Sequence, residues 1–149
     1  MSNLCFISKI LEKVVASQIN EHISNNDLLE LNQSAYRKLH NTETALLKIF
    51  NDLLISADKK TVSILVLLDL SAAFDTLDHS VLLDRLNVTF GIRGTILDWF
   101  KSYLVGRTQS VIINDVTSEP RTLLYGVPQG SVLGPICYTL YTTPLGELI

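Results

Sequence analysis

Cysteine is scarce in this sequence, with only Cys5 and Cys137 among 149 residues. Two cysteines cannot build a disulfide framework, and they fit a reducing compartment. The three histidines, His22, His40 and His79, are scattered and form no zinc-like cluster with them. Proline (4) and glycine (7) are few and charged residues make up 18%, which excludes collagen-like and disordered chains. No apolar run approaches the roughly 18–20 residues that crossing a bilayer demands. The longest, Ile64 to Leu68, stops at Asp69. The first residues show no basic segment followed by a long apolar stretch, so no secretory signal is visible and an intracellular setting is expected. An excess of positive charge is also missing. The net charge is −3, whereas a protein holding a nucleic-acid backbone by electrostatics alone is usually basic. Residues 1–60 balance seven basic against seven acidic side chains, and residues 61–149 carry five against eight. All the surplus negative charge therefore lies in the second part.

What is present is 47% hydrophobic content, enough for one globular domain with a core. Ile7, Ile10, Leu11, Val14, Val15, Ile19 and Ile23 recur at three- and four-residue steps and predict an amphipathic helix from Phe6 to Ile23. A second helix is expected from about Thr42 to Ser56. Asn41 or Thr42 caps it, and Leu46, Leu47, Phe50, Leu53 and Leu54 form its buried stripe. Leu28 to His40 reads as an irregular connection. Thr61 to Asp69 is β-branched and Leu-rich without polar alternation, which predicts a strand buried on both faces. Further helices are expected from Asp78, an N-cap, to near Gly91, and from Gly94 to Leu104 with Ile96, Leu97, Phe100 and Leu104 inward. Gln109–Ile113 and Arg121–Tyr125 read as paired strands joined through the polar 114–120 stretch. Pro135 suits the first turn of a last helix reaching about Thr142. This order of elements points to an α+β architecture.

Two segments could carry chemistry. In Leu67-Leu68-Asp69-Leu70-Ser71-Ala72-Ala73-Phe74-Asp75, an apolar strand would end in a carboxylate at the rim of a dry core, a hard oxygen ligand suited to Mg²⁺. A Walker B carboxylate is presented the same way, but no G-x-x-x-x-G-K-[ST] loop accompanies it. An aspartyl-phosphate site would place a second Asp at position 71, which is Ser71. Asp69 as a plain strand-ending turn residue is the structural alternative. The second segment, Gly126-Val127-Pro128-Gln129-Gly130-Ser131-Val132-Leu133-Gly134-Pro135, has glycines that admit close backbone approach and a Gln129 that both donates and accepts. Ser131 lacks the G-x-S-x-G setting of a nucleophile elbow, and a Gly/Pro-rich strand-to-helix turn is the bland reading.

Together these segments are similar to the reverse transcriptase domain of non-LTR (LINE-type) retrotransposons, over essentially the whole chain. Ser2 to Lys13 resembles that family's first block. Gln33-Ser34-Ala35-Tyr36-Arg37 with Thr42-Glu43-Thr44-Ala45-Leu46-Leu47 resembles the second, Leu68 to Asp75 block A, and Gly126 to Pro135 block B. Ala35 and Tyr36 stand where the family usually has Gly and Phe. The resemblance implies a partial right-hand polymerase fold: residues 1–60 fingers-like, 61–84 palm block A, 85–125 a fingers/palm connection, and 126–149 palm block B. It implies Asp69 as the catalytic carboxylate binding Mg²⁺, with the Leu70 carbonyl as a further metal ligand. Phe74 would stack under the incoming sugar, Gln129 and Gly130 would line the nucleotide pocket, and Arg37 would meet the triphosphate with its guanidinium fork. Asp75 and Asp78 read as turn and helix-cap residues, and His79 as a packing or hydrogen-bonding one. RNA template, DNA primer and deoxynucleoside triphosphate are the implied partners, with no membrane.

The family's Y-A-D-D block is not found before Ile149, and no Asp-Asp pair occurs in the sequence. A two-metal site needs several carboxylates. The expectation is thus an incomplete reverse transcriptase domain, inactive alone, from a truncated retrotransposon reading frame. A non-enzymatic remnant that binds nucleic acid or a complete polymerase is the alternative. Self-association through an exposed palm edge at Val62–Leu68 is also expected.

Overall fold

The computed structural model describes residues 6–147. Residues 2–5 of the first block, Cys5 among them, lie outside the described residues. Helix α1 (Phe6–Asn25) is followed by an irregular connection, α2 (Thr42–Asp58), α3 (His79–Val88) and α4 (Thr95–Leu104). Four two-residue strands follow: β1 (Thr108–Gln109), β2 (Ile112–Ile113), β3 (Val116–Thr117) and β4 (Arg121–Thr122). Helix α5 (Gly134–Thr142) and a 3₁₀ turn (Thr143–Glu147) end the described chain.

The core lies where α3, α4 and α5 meet. Leu82 and Leu86 of α3, Phe100 and Leu104 of α4, and Cys137 and Leu140 of α5 are buried together with Leu77, Phe90, Ile92, Val127 and Leu133. The repeats of three and four residues along each helix place these side chains on one stripe. Ala16, Ile19 and Ile23 of α1 close the core from one side, and His22 Nε2 donates to the Phe90 carbonyl at 2.8 Å. Trp99 stacks on Tyr103 along α4 with ring centroids 5.4 Å apart, and the Arg85 guanidinium of α3 lies 4.6 Å from the Tyr141 ring centre of α5.

The mixed helix and strand content agrees with the sequence reading, but five local expectations are corrected. Residues 61–70 form no strand and are exposed at every position. A strand buried on both faces needs neighbours to take its backbone N–H and C=O groups, and none of the described strands pairs with it. Helix α2 forms as expected, with Asn41 and Thr44 making a reciprocal capping box, yet none of its residues is buried. Leu46, Leu47, Phe50 and Leu54, expected in the core, are exposed, and Leu53 is half-buried. In α1 the buried stripe is Glu12, Ala16, Ile19 and Ile23, while Ile7, Ile10, Leu11 and Val14 face outward. Ile96 of α4 is likewise exposed. Finally, β1 pairs with β4, but β2 pairs with β3 inside the stretch expected to be a mere connection. Asn114 and Asp115 both adopt positive φ, so the chain reverses tightly there and Ile113 meets Val116.

Candidate functional site

The two chemistry-bearing segments are brought side by side. After Ser71 the chain makes a tight turn in which Asp75 N–H donates to the Ala72 carbonyl at 2.8 Å. The residues leaving this turn run against the start of the glycine-rich loop. Val127 N–H donates to the Phe74 carbonyl at 2.9 Å, and Gly126 N–H to the Leu77 carbonyl at 2.7 Å. Asp78 forms an isolated antiparallel bridge with Tyr125. His79, buried at the head of α3, donates from Nε2 to the Gly126 carbonyl at 2.7 Å, the hydrogen-bonding role expected of it. Asp78 caps α3, its carboxylate accepting from Ser80 Oγ at 2.6 Å and from the Ser80 and Val81 N–H groups. The Ser80 hydroxyl bond, then the Val81 N–H bond, hold its carboxyl below the ordinary range.

Gly126 is required by this junction. Its φ is +83°, and a Cβ there would lie 3.0 Å from both Cα and O of Asp75. Backbone cannot yield as a side-chain tip can. Gly126→Ala is therefore expected to destabilise the fold by roughly 2–4 kcal/mol through left-handed strain and overpacking. Chemical denaturation would read this as a lower midpoint at unchanged slope, and an unchanged midpoint would show that the two segments are free to part.

The loop opens onto a groove of about 880 Å³ lined by Asp75, Arg107, Gln109, Tyr125, Pro128 and Gln129, among others. Gln129 is exposed at its edge and Gly130, also exposed, adjoins it with φ +77°. Phe74 does not line this groove. It is half-buried, with its ring 5.3 Å from that of Tyr138 on α5. Asp69 and Leu70 are exposed on the irregular segment that precedes the turn and line the groove no more than Phe74 does. The expected placement of Asp69 at a strand end, with Phe74 and Gln129 open to one cavity, is thus corrected. The physical reason is the unpaired 61–70 segment, which has no sheet to hold the carboxylate at its rim. Arg37 lines a separate cavity of about 370 Å³ with Tyr36, Lys38 and residues of α1 and α5. Its guanidinium donates to the Glu30 carbonyl at 3.3 Å and the Leu31 carbonyl at 3.4 Å, which steadies the loop that carries it.

A pair of divalent ions is not matched by the residues present. Asp69 offers one carboxylate and Leu70 one carbonyl, and among the described residues no group of three or more His, Cys, Asp or Glu side chains converges. Two ions a few ångströms apart need more oxygen ligands than these.

Sequence reading missed Glu12. It is 1% exposed, and its Oε2 accepts from Val132 N–H at 2.7 Å and Leu133 N–H at 3.3 Å, where the loop enters α5. Its spacing from Ala16, Ile19 and Ile23 was the signal available. Cys137 of α5 is fully buried, and burial, with the Glu12 charge adding to it, pushes its thiol up to about 12. A thiol so held stays neutral and is no nucleophile.

Comparison with known proteins decides the family. The family model described as reverse transcriptase (RNA-dependent DNA polymerase) matches residues 1–149. The chain belongs to the reverse transcriptase family. Among its relatives, a probable RNA-directed DNA polymerase from transposon BS of Drosophila melanogaster is 31% identical over 97% of this chain and 16% of its own length. A probable RNA-directed DNA polymerase from transposon X-element of the same species is 32% identical, over 95% of this chain and 15% of its own length. An RNA-directed DNA polymerase from mobile element jockey of Drosophila funebris is 29% identical over 93% and 15% respectively. The LINE-type resemblance of the sequence blocks is in keeping with these relatives. This reverse transcriptase segment spans about one-sixth of the length of the curated relatives it matches. No helix among its described residues is long and apolar enough to cross a membrane.

Proposed function

We propose that this chain carries the nucleotide-contacting part of an RNA-directed DNA polymerase and does not polymerise by itself. The observation that supports the reading is the hydrogen-bonded junction of the block A turn with the block B loop, through Phe74, Leu77, Gly126 and Val127. It holds together the two segments whose chemistry the family resemblance joins. In this reading residues 1–60 are fingers-like, 61–84 and 126–149 belong to the palm, and 85–125 connect them. Gln129 and Gly130 contact the incoming deoxynucleoside triphosphate at the groove edge, while Phe74, packed on Tyr138 outside that groove, supports the loop through its carbonyl, which accepts from Val127 N–H. Arg37 answers the triphosphate charge, a role that requires its cavity and the groove to be bridged by the substrate or by movement of the 26–41 connection. Asp69, with the Leu70 carbonyl, contributes to a Mg²⁺ centre whose remaining carboxylates come from another polypeptide segment. RNA template and DNA primer are bound by the assembled enzyme, since the net charge of −3 gives this part little hold on phosphate by itself.

The exposed apolar run Val62–Leu68 favours a second reading, in which the chain pairs with a polymerase polypeptide without catalysing anything. A primer-extension assay separates the two. With Mg²⁺, an RNA template and a DNA primer, the chain alone is expected to give no extension above background. Supplied with a polypeptide bearing a Y-A-D-D hairpin, it is expected to extend the primer and to lose that activity in Asp69→Ala. Extension by the chain alone that vanishes in Asp69→Ala would overturn the incompleteness. Complex formation without extension would select the binding reading.

A further inference from the structure

Helix α5 begins without help from its own N-cap. Leu133 occupies that position and has no side-chain oxygen to offer, although the first N–H groups of a helix need acceptors. The adjoining loop supplies the first of these acceptors. Ser131 Oγ takes the Gly134 N–H at 2.9 Å. Glu12 Oε2 takes the N–H groups of the two residues just before the helix, Val132 and the N-cap Leu133, across 120 residues of chain. A carboxylate withdrawn from water to 1% exposure is costly unless such donors meet it, and the positive end of α5 adds to their pull. The Ser8 hydroxyl donates to the other carboxylate oxygen, Oε1, at 3.4 Å. One turn along α1, Ala16 starts the apolar stripe that anchors the helix in the core.

The loop between these anchors is thereby fixed at both ends. At residues 126–127 it is bonded to the block A turn, and at residues 132–133 to Glu12. The exposed tip, Gln129 and Gly130, lies between the two attachments. We infer that Glu12 is a positioning residue: its buried carboxylate holds the Pro128–Leu133 loop in the shape that presents Gln129 and Gly130 to a deoxynucleoside triphosphate. The inference rests on the nucleotide reading of the loop given above, and its structural part can be tested apart from it.

Amide hydrogen exchange of the whole chain reads the tether. Glu12→Ala leaves two N–H groups without their charged acceptor, so exchange at Val132 and Leu133 is expected to quicken roughly tenfold or more. Exchange in α3 and α4 is expected to stay within about twofold. Glu12→Gln keeps a neutral acceptor in the same place and is expected to quicken exchange only roughly threefold. This milder variant carries the test if the alanine variant does not fold. Unchanged exchange at Val132 and Leu133 in the folded variants would overturn the tether, as would an equal rise throughout α3 and α4. Binding of dTTP with Mg²⁺, followed by protection of residues 128–133, reads the purpose. The affinity is expected to fall roughly tenfold in Glu12→Ala and to be largely restored in Glu12→Gln. If the unaltered chain gains no protection from dTTP while Glu12→Ala still frees the two amides, the nucleotide reading fails and the tether stands. Protection that is equal in all three proteins would overturn the positioning role.

Discussion

The isolated chain is expected to run in sizing chromatography as species larger than a monomer, in proportions that rise with concentration. The segment responsible is Val62–Leu68. Val62 is 94% exposed, Ile64 86%, and Leu67 and Leu68 80% each. Among the described residues, none from 62 to 70 makes a backbone–backbone hydrogen bond. Such a run is apolar, rich in Val, Ile and Leu, and uninterrupted by charge until Asp69. It is a template for pairing with an identical run in a second copy, where both backbone and side chains would find partners. Covering a Val, Leu or Ile side chain contributes about 1.5–3 kcal/mol, so sequestering three of them on each partner is comparable to the roughly 4–15 kcal/mol that association costs. The exposed leucines of α2, Leu46, Leu47 and Leu54, would add to the same tendency without supplying unpaired backbone. The double substitution Val66→Lys with Leu68→Lys places charge inside the run and is expected to restore the monomer while leaving the α3–α5 core intact. A monodisperse, concentration-independent monomer before any substitution would show that the run is covered within the chain.

Phe100→Ala is expected to cost roughly 3–5 kcal/mol, a large share of a net stability of about 5–15 kcal/mol for a domain. The ring is fully buried at the meeting point of α3, α4 and α5, and Trp99 lies edge-on to it with centroids 5.4 Å apart. Removing it leaves a cavity that helices held from several sides cannot close. The effect should be unusually visible in this chain because so many apolar side chains lie outside the core that stability concentrates in one cluster. Thermal or denaturant unfolding followed by circular dichroism would check it. A loss under about 1 kcal/mol would mean that the helices repack freely and that the cluster is not the structural centre. Phe100→Leu, which conserves much of the volume, is expected to recover most of the loss.

Local signals in the amino-acid order settled most of the helices. Asn41 and Asp78 cap α2 and α3 as their oxygen-bearing side chains predict, and Pro135 falls in the first turn of α5. These are decided by residues within one turn of each other, so no distant contact is needed to read them. The family was legible for a similar reason: the four blocks are short and ordered, and the match extends over residues 1–149. What a residue faces is a different kind of fact. The pattern of Leu46, Phe50 and Leu54 states that α2 has an apolar side but not that another element covers it. Val62–Leu68 has every mark of a buried strand, yet a strand exists only with a partner for its backbone, and no described strand supplies one. The same dependence removed Asp69 from the sheet rim where its composition put it. Only the tertiary structure could show the acceptor for the Val132 and Leu133 N–H groups that lead into α5, because Glu12 stands 120 residues from Val132. Burial of a carboxylate is stable only where donors converge, and that convergence is a property of the packed chain rather than of any segment in it.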